Sequence, residues 1–191
     1  MMTWLAVTGM LLTQSACGQN AATTVTASGC VADKPAAIAG YAKRNLKQYE
    51  GKVLRVSDGD TIQVVDGNGQ KHKIRLAFID APELQQAAGK DSQKRLQQLL
   101  GGKTVTVQMT DIDQYKREVA IVWQGTQDVN AVQLADGWAW HYESIAKRQQ
   151  TDHGYAYYRC LQQSAQSGRA GLWRNAKAQA PWQYRKQQHN G

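Results

Sequence analysis

Four carboxylates lie where two neighbouring strands of the predicted sheet end: Asp58, Asp60, Asp80 and Glu83. Neighbouring strand ends bring such side chains to one edge, where hard oxygen ligands suit Ca²⁺ or Mg²⁺. Each acid alone is more typical of a turn, a helix cap or an exposed surface. Together they predict a divalent-cation site in which one carboxylate remains to act on water.

Two arginines accompany these acids. Arg75 lies on the strand between them, and Arg117 begins the fifth predicted strand. The planar guanidinium of arginine can hold two phosphate oxygens at once and stays charged at any working pH. A cation site, a carboxylate for water and two phosphate-binding arginines are the groups that a phosphodiesterase needs.

A β-hairpin must position the first of these groups. The turn sequence DGNG at 66–69 is a strong hairpin signal between two apolar runs. Matching Ile62 to Ile74 across the hairpin places Asp60 next to Arg75, and a register shift of one residue would place them directly opposite each other. Either register predicts that Asp60 and Arg75 lie within one rung.

The remaining elements complete a mainly β fold. The third strand is predicted to run through Phe78, and a helix with Asp91 as its candidate N-cap follows it. Two alternating strands come next, then a short helix capped by Asp128 and a longer helix at 150–168. The predicted class is α+β, mainly β: an OB-fold, a five-stranded Greek-key barrel with about three covering helices.

Composition shifts divide the chain into four parts. No charged side chain precedes Asp33, and an apolar run ends in small residues around Cys17. This start is typical of an export signal, either a lipoprotein leader lipidated at Cys17 or a peptide cleaved after a nearby alanine, and its Thr, Ser and Gly content disfavours an internal helix. The predicted parts are a leader with spacer at 1–30, a polar lead-in at 31–50, the barrel domain at 51–174 and a basic flexible tail at 175–191.

Charge and cysteine usage indicate which kinds of partner and which cellular compartment the sequence favours. The formal net charge is +8, and residues 144–191 hold eight lysines and arginines against one acid. A basic flank favours a polyanion or an anionic membrane surface as partner, and a solvated surface without a specific partner is the alternative. In an oxidising compartment Cys30 and Cys160 could form one disulfide, and two free thiols are the alternative.

Three motifs carry a resemblance to a known family. DGDTIQV, RLAFIDAPE and YKREVAIV occur in the order and spacing of the staphylococcal nuclease (thermonuclease) family. The chain resembles that family from about Gly51 to Trp173. The resemblance implies an OB-type barrel, which the strand pattern predicts independently.

The resemblance also implies a calcium site. Asp60 and Asp80 would bind Ca²⁺ through their carboxylates, and the residue after Asp80, here Ala81, through its backbone carbonyl. Glu83 would be the general base that takes a proton from the attacking water.

Nucleic-acid contacts follow from the same resemblance. Arg75 and Arg117 would bind the scissile phosphate and stabilise the negative charge of the transition state. Tyr115 and Tyr142 match tyrosines that flank the bound nucleotide. Lys116 stands where the family often has Gly, which makes this turn less flexible and adds a charge.

The predicted function is a Ca²⁺-dependent endonuclease that acts on DNA and RNA, leaves 3′-phosphate ends and prefers single-stranded or frayed substrate. We expect a monomer exported to the periplasm or the cell exterior, and anchored to the membrane if Cys17 is lipidated. A non-catalytic nucleic-acid-binding module and an anchored structural protein are the alternatives. Both predict that catalytic carboxylates are missing, whereas Asp60, Asp80 and Glu83 are all present.

Overall fold

A computed structural model describes Cys30 and residues 40–189 of the chain. The predicted leader up to residue 29, with Cys17, lies outside the described residues, as do 31–39 and 190–191. No helix within the described part is both long and apolar enough to span a membrane.

Five of the strands close into a barrel. The strands are β1 (Lys47–Val56), β2 (Thr61–Asp66), β3 (Lys71–Leu76), β4 (Ile79–Asp80), β5 (Thr104–Ile112), β6 (Glu118–Gln124), β7 (Gln127–Asp128) and β8 (Trp140–His141). β1, β2 and β3 form an antiparallel meander, β5 pairs with β1, and β6 pairs with β5. β3 then runs parallel to β6 and closes the circle, which confirms the predicted OB-type barrel.

Alternate side chains of the strands fill the barrel. Ile62, Val64, Ile74 and Val107 are all fully buried there. β2 and β3 pair with Ile62 opposite Ile74, the first of the two registers considered from the sequence. Burial of one face fixes this register, because a slip of one residue would turn the apolar side chains outward. The barrel is therefore a rigid base for the groups at its rim.

Helices cover this barrel. They are α1 (Gly89–Leu100), α2 (Val129–Ala135), α3 (Glu143–Gln149), α4 (Asp152–Ser167) and α5 (Pro181–His189), with a 3₁₀ turn at Gly171–Arg174. Asp128 caps α2 as predicted, since its carboxylate accepts a hydrogen bond from the Ala131 amide at 3.1 Å. The predicted cap of α1 is wrong: Ala88 is the N-cap, and Asp91 lies inside the first turn.

The ends of the domain differ from the predicted boundaries. β1 begins at Lys47, before the expected start at Gly51. α5 occupies part of the segment for which the sequence predicts a basic flexible tail. Pro181 begins this helix, where its fixed φ is already helical, and it is buried. At the other end, Cys30 forms a disulfide with Cys160 on α4.

Asp128 also connects α2 to α4. Tyr158 donates its hydroxyl to Asp128 Oδ2 at 2.7 Å, and burial raises the pKa of Asp128 to about 6. A carboxyl whose pKa is higher in the folded state than in the unfolded chain binds extra protons on folding, so stability falls as pH rises through that window.

We expect Asp128→Asn to remove much of this pH dependence while retaining the cap. Between pH 4 and pH 7 the parent should lose up to about 3 kcal/mol of unfolding free energy relative to the variant. Urea denaturation at several pH values measures this difference. Asp152→Asn, at an exposed site in the first turn of α4, is the control. Equal slopes for parent and Asp128→Asn would contradict the assignment.

Candidate active site

A cleft of about 570 Å³ lies between the β2–β3 hairpin, the turn that joins β5 to β6, α3 and α5. Its walls bring together all the residues with a predicted catalytic, metal-binding or nucleotide-binding role: Asp60, Arg75, Asp80, Ala81, Glu83, Tyr115, Arg117 and Tyr142. These residues come from separate stretches of the chain, and the fold of the barrel brings them together. Their individual roles remain predictions.

Arg75 joins the two acids that were predicted to bind metal. Its Nη2 lies 3.2 Å from Asp60 Oδ2 and 2.9 Å from Asp80 Oδ1. The hairpin register explains the first contact, since Thr61 pairs with Arg75 and Asp60 is the next residue outward. Both carboxylates therefore converge on one point beside the arginine.

A bend after β3 turns Asp80 into the cleft. The sequence predicts a strand that continues through Phe78, but β3 ends at Leu76 and Phe78 adopts a left-handed conformation with φ 64°. This region is unfavourable for a bulky residue and persists only where packing imposes it. Phe78 is buried, and its carbonyl accepts a hydrogen bond from the Tyr142 amide at 2.8 Å. β4 starts after this bend, and Asp80 is its second residue.

Gly59 allows the loop between β1 and β2, which carries Asp58 and Asp60, to approach α1. A Cβ at Gly59 would lie 2.0 Å from Ser92 Oγ and 2.7 Å from the Ala81 Cβ, so no larger residue fits. The Gly59 carbonyl also accepts a hydrogen bond from Gln133 Nε2 at 2.8 Å. The glycine of the DGDT motif is thus a packing requirement that positions Asp60.

Asp60 and Asp80 supply the carboxylate oxygens that a hard divalent cation prefers as ligands. Asp60 and Asp80 are 5% and 1% exposed, and Asp60 Oδ2 accepts a hydrogen bond from the Ala81 amide at 2.6 Å. Within the described residues, no group of three or more His, Cys, Asp or Glu side chains is placed to hold an ion. A cation there would therefore take its other ligands from backbone carbonyls, water or substrate.

The electrostatics of the cleft also favour a cation. Burial and the neighbouring charge of Asp60 raise the pKa of Asp58 to about 6, and burial raises the pKa of Asp80. Buried carboxylates that lie close together are costly to ionise without a countercharge. Guanidinium groups supply part of that countercharge, and a bound divalent ion would supply more.

Arg117 is held by the turn that joins β5 to β6. Asp113 Oδ1 accepts hydrogen bonds from the amides of Tyr115 and Arg117, both at 2.9 Å, and Asp113 Oδ2 lies 2.6 Å from Arg117 Nε. Burial opposes ionisation of Asp113, but these bonds outweigh it and lower its pKa. Lys116 takes a left-handed φ of 60° in this turn. The Asp113 bonds thus fix a turn in which glycine would be less strained.

Tyr115 and Tyr142 differ in exposure. Tyr115 is 71% exposed, and the Arg117 guanidinium lies 5.4 Å from its ring centroid. Tyr142 instead stacks on Trp182 of α5, with ring centroids 5.5 Å apart. Only the Tyr115 ring is open to solvent in the way a nucleotide-stacking residue requires.

Sequence reasoning missed one residue of the cleft, Arg185 on α5. Its Nη2 lies 2.8 Å from Asp80 Oδ2, and its Nη1 lies 2.9 Å from Glu83 Oε1. Arg185 is 102 residues from Glu83 along the chain, so no local motif joins them. The local sequence contains one indication of this helix: Pro181 and Trp182 are typical of the first turn of a packed helix, and they occur within a polar segment.

A barrel whose rim carries convergent carboxylates, a glutamate and two arginines in one cleft has the groups that a phosphodiesterase needs. Residues 73–175 match the family model described as staphylococcal nuclease homologue, and the chain belongs to the staphylococcal nuclease family. This family match agrees with the OB-type barrel.

Individual relatives agree with the family match. The chain is 35% identical to a micrococcal nuclease of Shigella flexneri over 151 residues, which cover 74% of this chain and 83% of the relative. It is 35% identical to an uncharacterized endonuclease of Haemophilus influenzae over 137 residues, covering 72% and 73%. A probable staphylococcal-like nuclease of Oryza sativa subsp. japonica is 30% identical over 146 residues, 76% of this chain and 36% of the longer plant protein. These relatives support a hydrolytic nuclease.

Proposed function

We propose that the protein is a Ca²⁺-dependent endonuclease that hydrolyses phosphodiester bonds of DNA and RNA and leaves 3′-phosphate ends. One observation carries the proposal: a single Arg75 nitrogen lies within 3.2 Å of both Asp60 and Asp80. Glu83 and Arg117 line the same cleft. Groups for a cation, a water molecule and a phosphate therefore meet at one place.

The geometry suggests a division of labour. Asp60 and Asp80 would hold the cation, which when bound would polarise a phosphate oxygen. Glu83 would accept the proton of a water that attacks phosphorus in line. Arg75 and Arg117 would orient the phosphate and stabilise the added negative charge of the transition state.

The surroundings of the cleft favour an extended single strand. Tyr115 offers an exposed ring at the rim, and a base can stack on such a ring whatever its identity. The chain carries a formal net charge of +8, which would attract the sugar-phosphate backbone. We therefore propose single-stranded or frayed nucleic acid as the preferred substrate.

The alternative is a non-catalytic nucleic-acid-binding module. Such a module would need the cleft but not an ordered set of carboxylates at its floor. The buried Asp60 and Asp80 are costly to retain for binding a polyanion, because they repel phosphate. A cation would reverse that repulsion, which favours the catalytic proposal.

We also propose that the protein is exported and acts as a monomer. The disulfide between Cys30 and Cys160 supports an oxidising compartment. Attachment to the membrane would depend on Cys17, which lies outside the described residues. The mass of the N-terminal peptide of the mature protein would distinguish a lipidated Cys17 from simple cleavage.

Calcium and a chelator provide the direct test. With Ca²⁺ the mature protein should digest both single-stranded DNA and RNA, and chelation should lower the rate tenfold or more. Excess Ca²⁺ should restore it. The DNA fragments should resist extension by a polymerase until a phosphatase removes their 3′-phosphates. Undiminished cutting in chelator would contradict calcium dependence, and binding without any cutting would favour the alternative module.

A further inference from the structure

Helix α5 places a third arginine against the acids of the cleft. Arg185 Nη2 lies 2.8 Å from Asp80 Oδ2, and Nη1 lies 3.2 Å from Asp80 Oδ1 and 2.9 Å from Glu83 Oε1. One guanidinium thus engages both oxygens of a carboxylate proposed to bind metal, together with the proposed general base. These are the oxygens that a cation and a water molecule would need.

The same helix covers one face of Tyr142, which the family resemblance predicts to flank the bound nucleotide. Trp182 stacks on Tyr142 with an angle of 20° between the rings, and it makes an edge-to-face contact with Trp140, with ring centroids 5.7 Å apart. A base that stacked on this face of Tyr142 would have to displace Trp182. α5 therefore blocks this predicted nucleotide contact as well as the acids.

A third contact ties the start of α5 to the segment that carries Glu83. Gln86 Nε2 donates to the carbonyl of Gln179 at 2.7 Å, and Gln86 Oε1 accepts from the Glu83 amide at 3.3 Å. Arg185, Trp182 and the Gln179 carbonyl thus make three separate contacts that hold α5 over the cleft.

We propose that α5 is an autoinhibitory latch that competes with both the cation and the nucleic acid. This proposal rests on the proposed function. Pairing of both Asp80 oxygens with Arg185 takes up lone pairs that Ca²⁺ would need, and the guanidinium repels a nearby divalent ion. Binding of the ion and docking of α5 therefore oppose each other, and by linkage each weakens the other by the same factor. Phosphates of the substrate would draw Arg185 away in the same way.

Calcium affinity of full-length variants tests the latch without reference to catalysis. Isothermal titration calorimetry should show Ca²⁺ binding to Arg185→Gln at least about fivefold tighter than to the parent, a typical size for such coupling. Lys186→Gln is the matched control, because it removes the same charge from an exposed neighbour on α5. Trp182→Ala, which releases the aromatic contact, should also tighten binding. Circular dichroism establishes that each variant is folded.

Hydrogen exchange in the parent provides a second measurement. Saturating Ca²⁺ should speed amide exchange in residues 181–189, because it releases the latch. Unchanged or slower exchange there, or equal Ca²⁺ affinity of Arg185→Gln and Lys186→Gln, would overturn the latch and leave the proposed function intact. So would a fall in kcat/KM for Arg185→Gln at unchanged Ca²⁺ affinity, which would make Arg185 a substrate contact. Absence of Ca²⁺ binding in all the proteins would overturn both.

Discussion

Replacement of Glu83 by Gln is expected to lower kcat on single-stranded DNA by about 10²- to 10⁴-fold, the usual contribution of a general base. Glutamine keeps the size and shape of the side chain but cannot take a proton from water. Glu83 lines the cleft with Asp80, and Arg185 contacts both. Initial rates at saturating Ca²⁺ measure the loss.

A measurement of Ca²⁺ affinity distinguishes loss of the general base from loss of the bound cation. Glu83→Gln removes a partner of Arg185 but neither carboxylate proposed to bind metal, so Ca²⁺ affinity should stay the same or rise. Glu50→Gln, on an exposed position of β1, makes the same chemical change away from the cleft and should cut like the parent. If Glu83→Gln cuts as fast as the parent, Glu83 is not the base. Slow cutting with weaker Ca²⁺ binding would instead place Glu83 among the metal ligands.

The part of the site that follows from local pattern was predictable. The DGNG turn and the alternation on both sides of it limit the hairpin to two neighbouring registers, and the structure has the one that pairs Ile62 with Ile74. Once this register is fixed, Asp60 and Arg75 must be neighbours. The cap of α2 by Asp128 was predictable for the same reason, since a single side chain and the next turn of helix decide it.

Features imposed by distant packing could not be predicted. Alternation through Ile74, Leu76 and Phe78 indicates an unbroken strand, but packing holds Phe78 at φ 64° and turns Asp80 inward. The docking of Arg185 depends on contacts of α5 with the opposite side of the cleft. A segment with so few apolar residues has no periodicity that would indicate a buried face.

Substitution of Arg117 by Lys is expected to lower kcat/KM by about 10²- to 10³-fold, as loss of one transition-state donor commonly does. Lysine keeps the positive charge but loses the planar fork that can hold two phosphate oxygens. It also loses the Nε contact with Asp113, 2.6 Å long, that orients the side chain over the turn. A charge alone should therefore not replace the arginine. Steady-state rates with a short single-stranded oligonucleotide measure the effect.

A comparison of kcat with KM decides how Arg117 acts. A donor that acts on the transition state lowers kcat, whereas a contact that only binds substrate raises KM and leaves kcat unchanged. We expect the loss to lie mainly in kcat, with Ca²⁺ affinity unchanged because Arg117 contacts Asp113 and not the convergent pair Asp60 and Asp80. Arg148→Lys, at an exposed site on α3, is the matched control and should leave both constants unchanged. An Arg117→Lys variant with the parent's kcat and a raised KM would make Arg117 a binding residue and leave Arg75 as the arginine that stabilises the transition state.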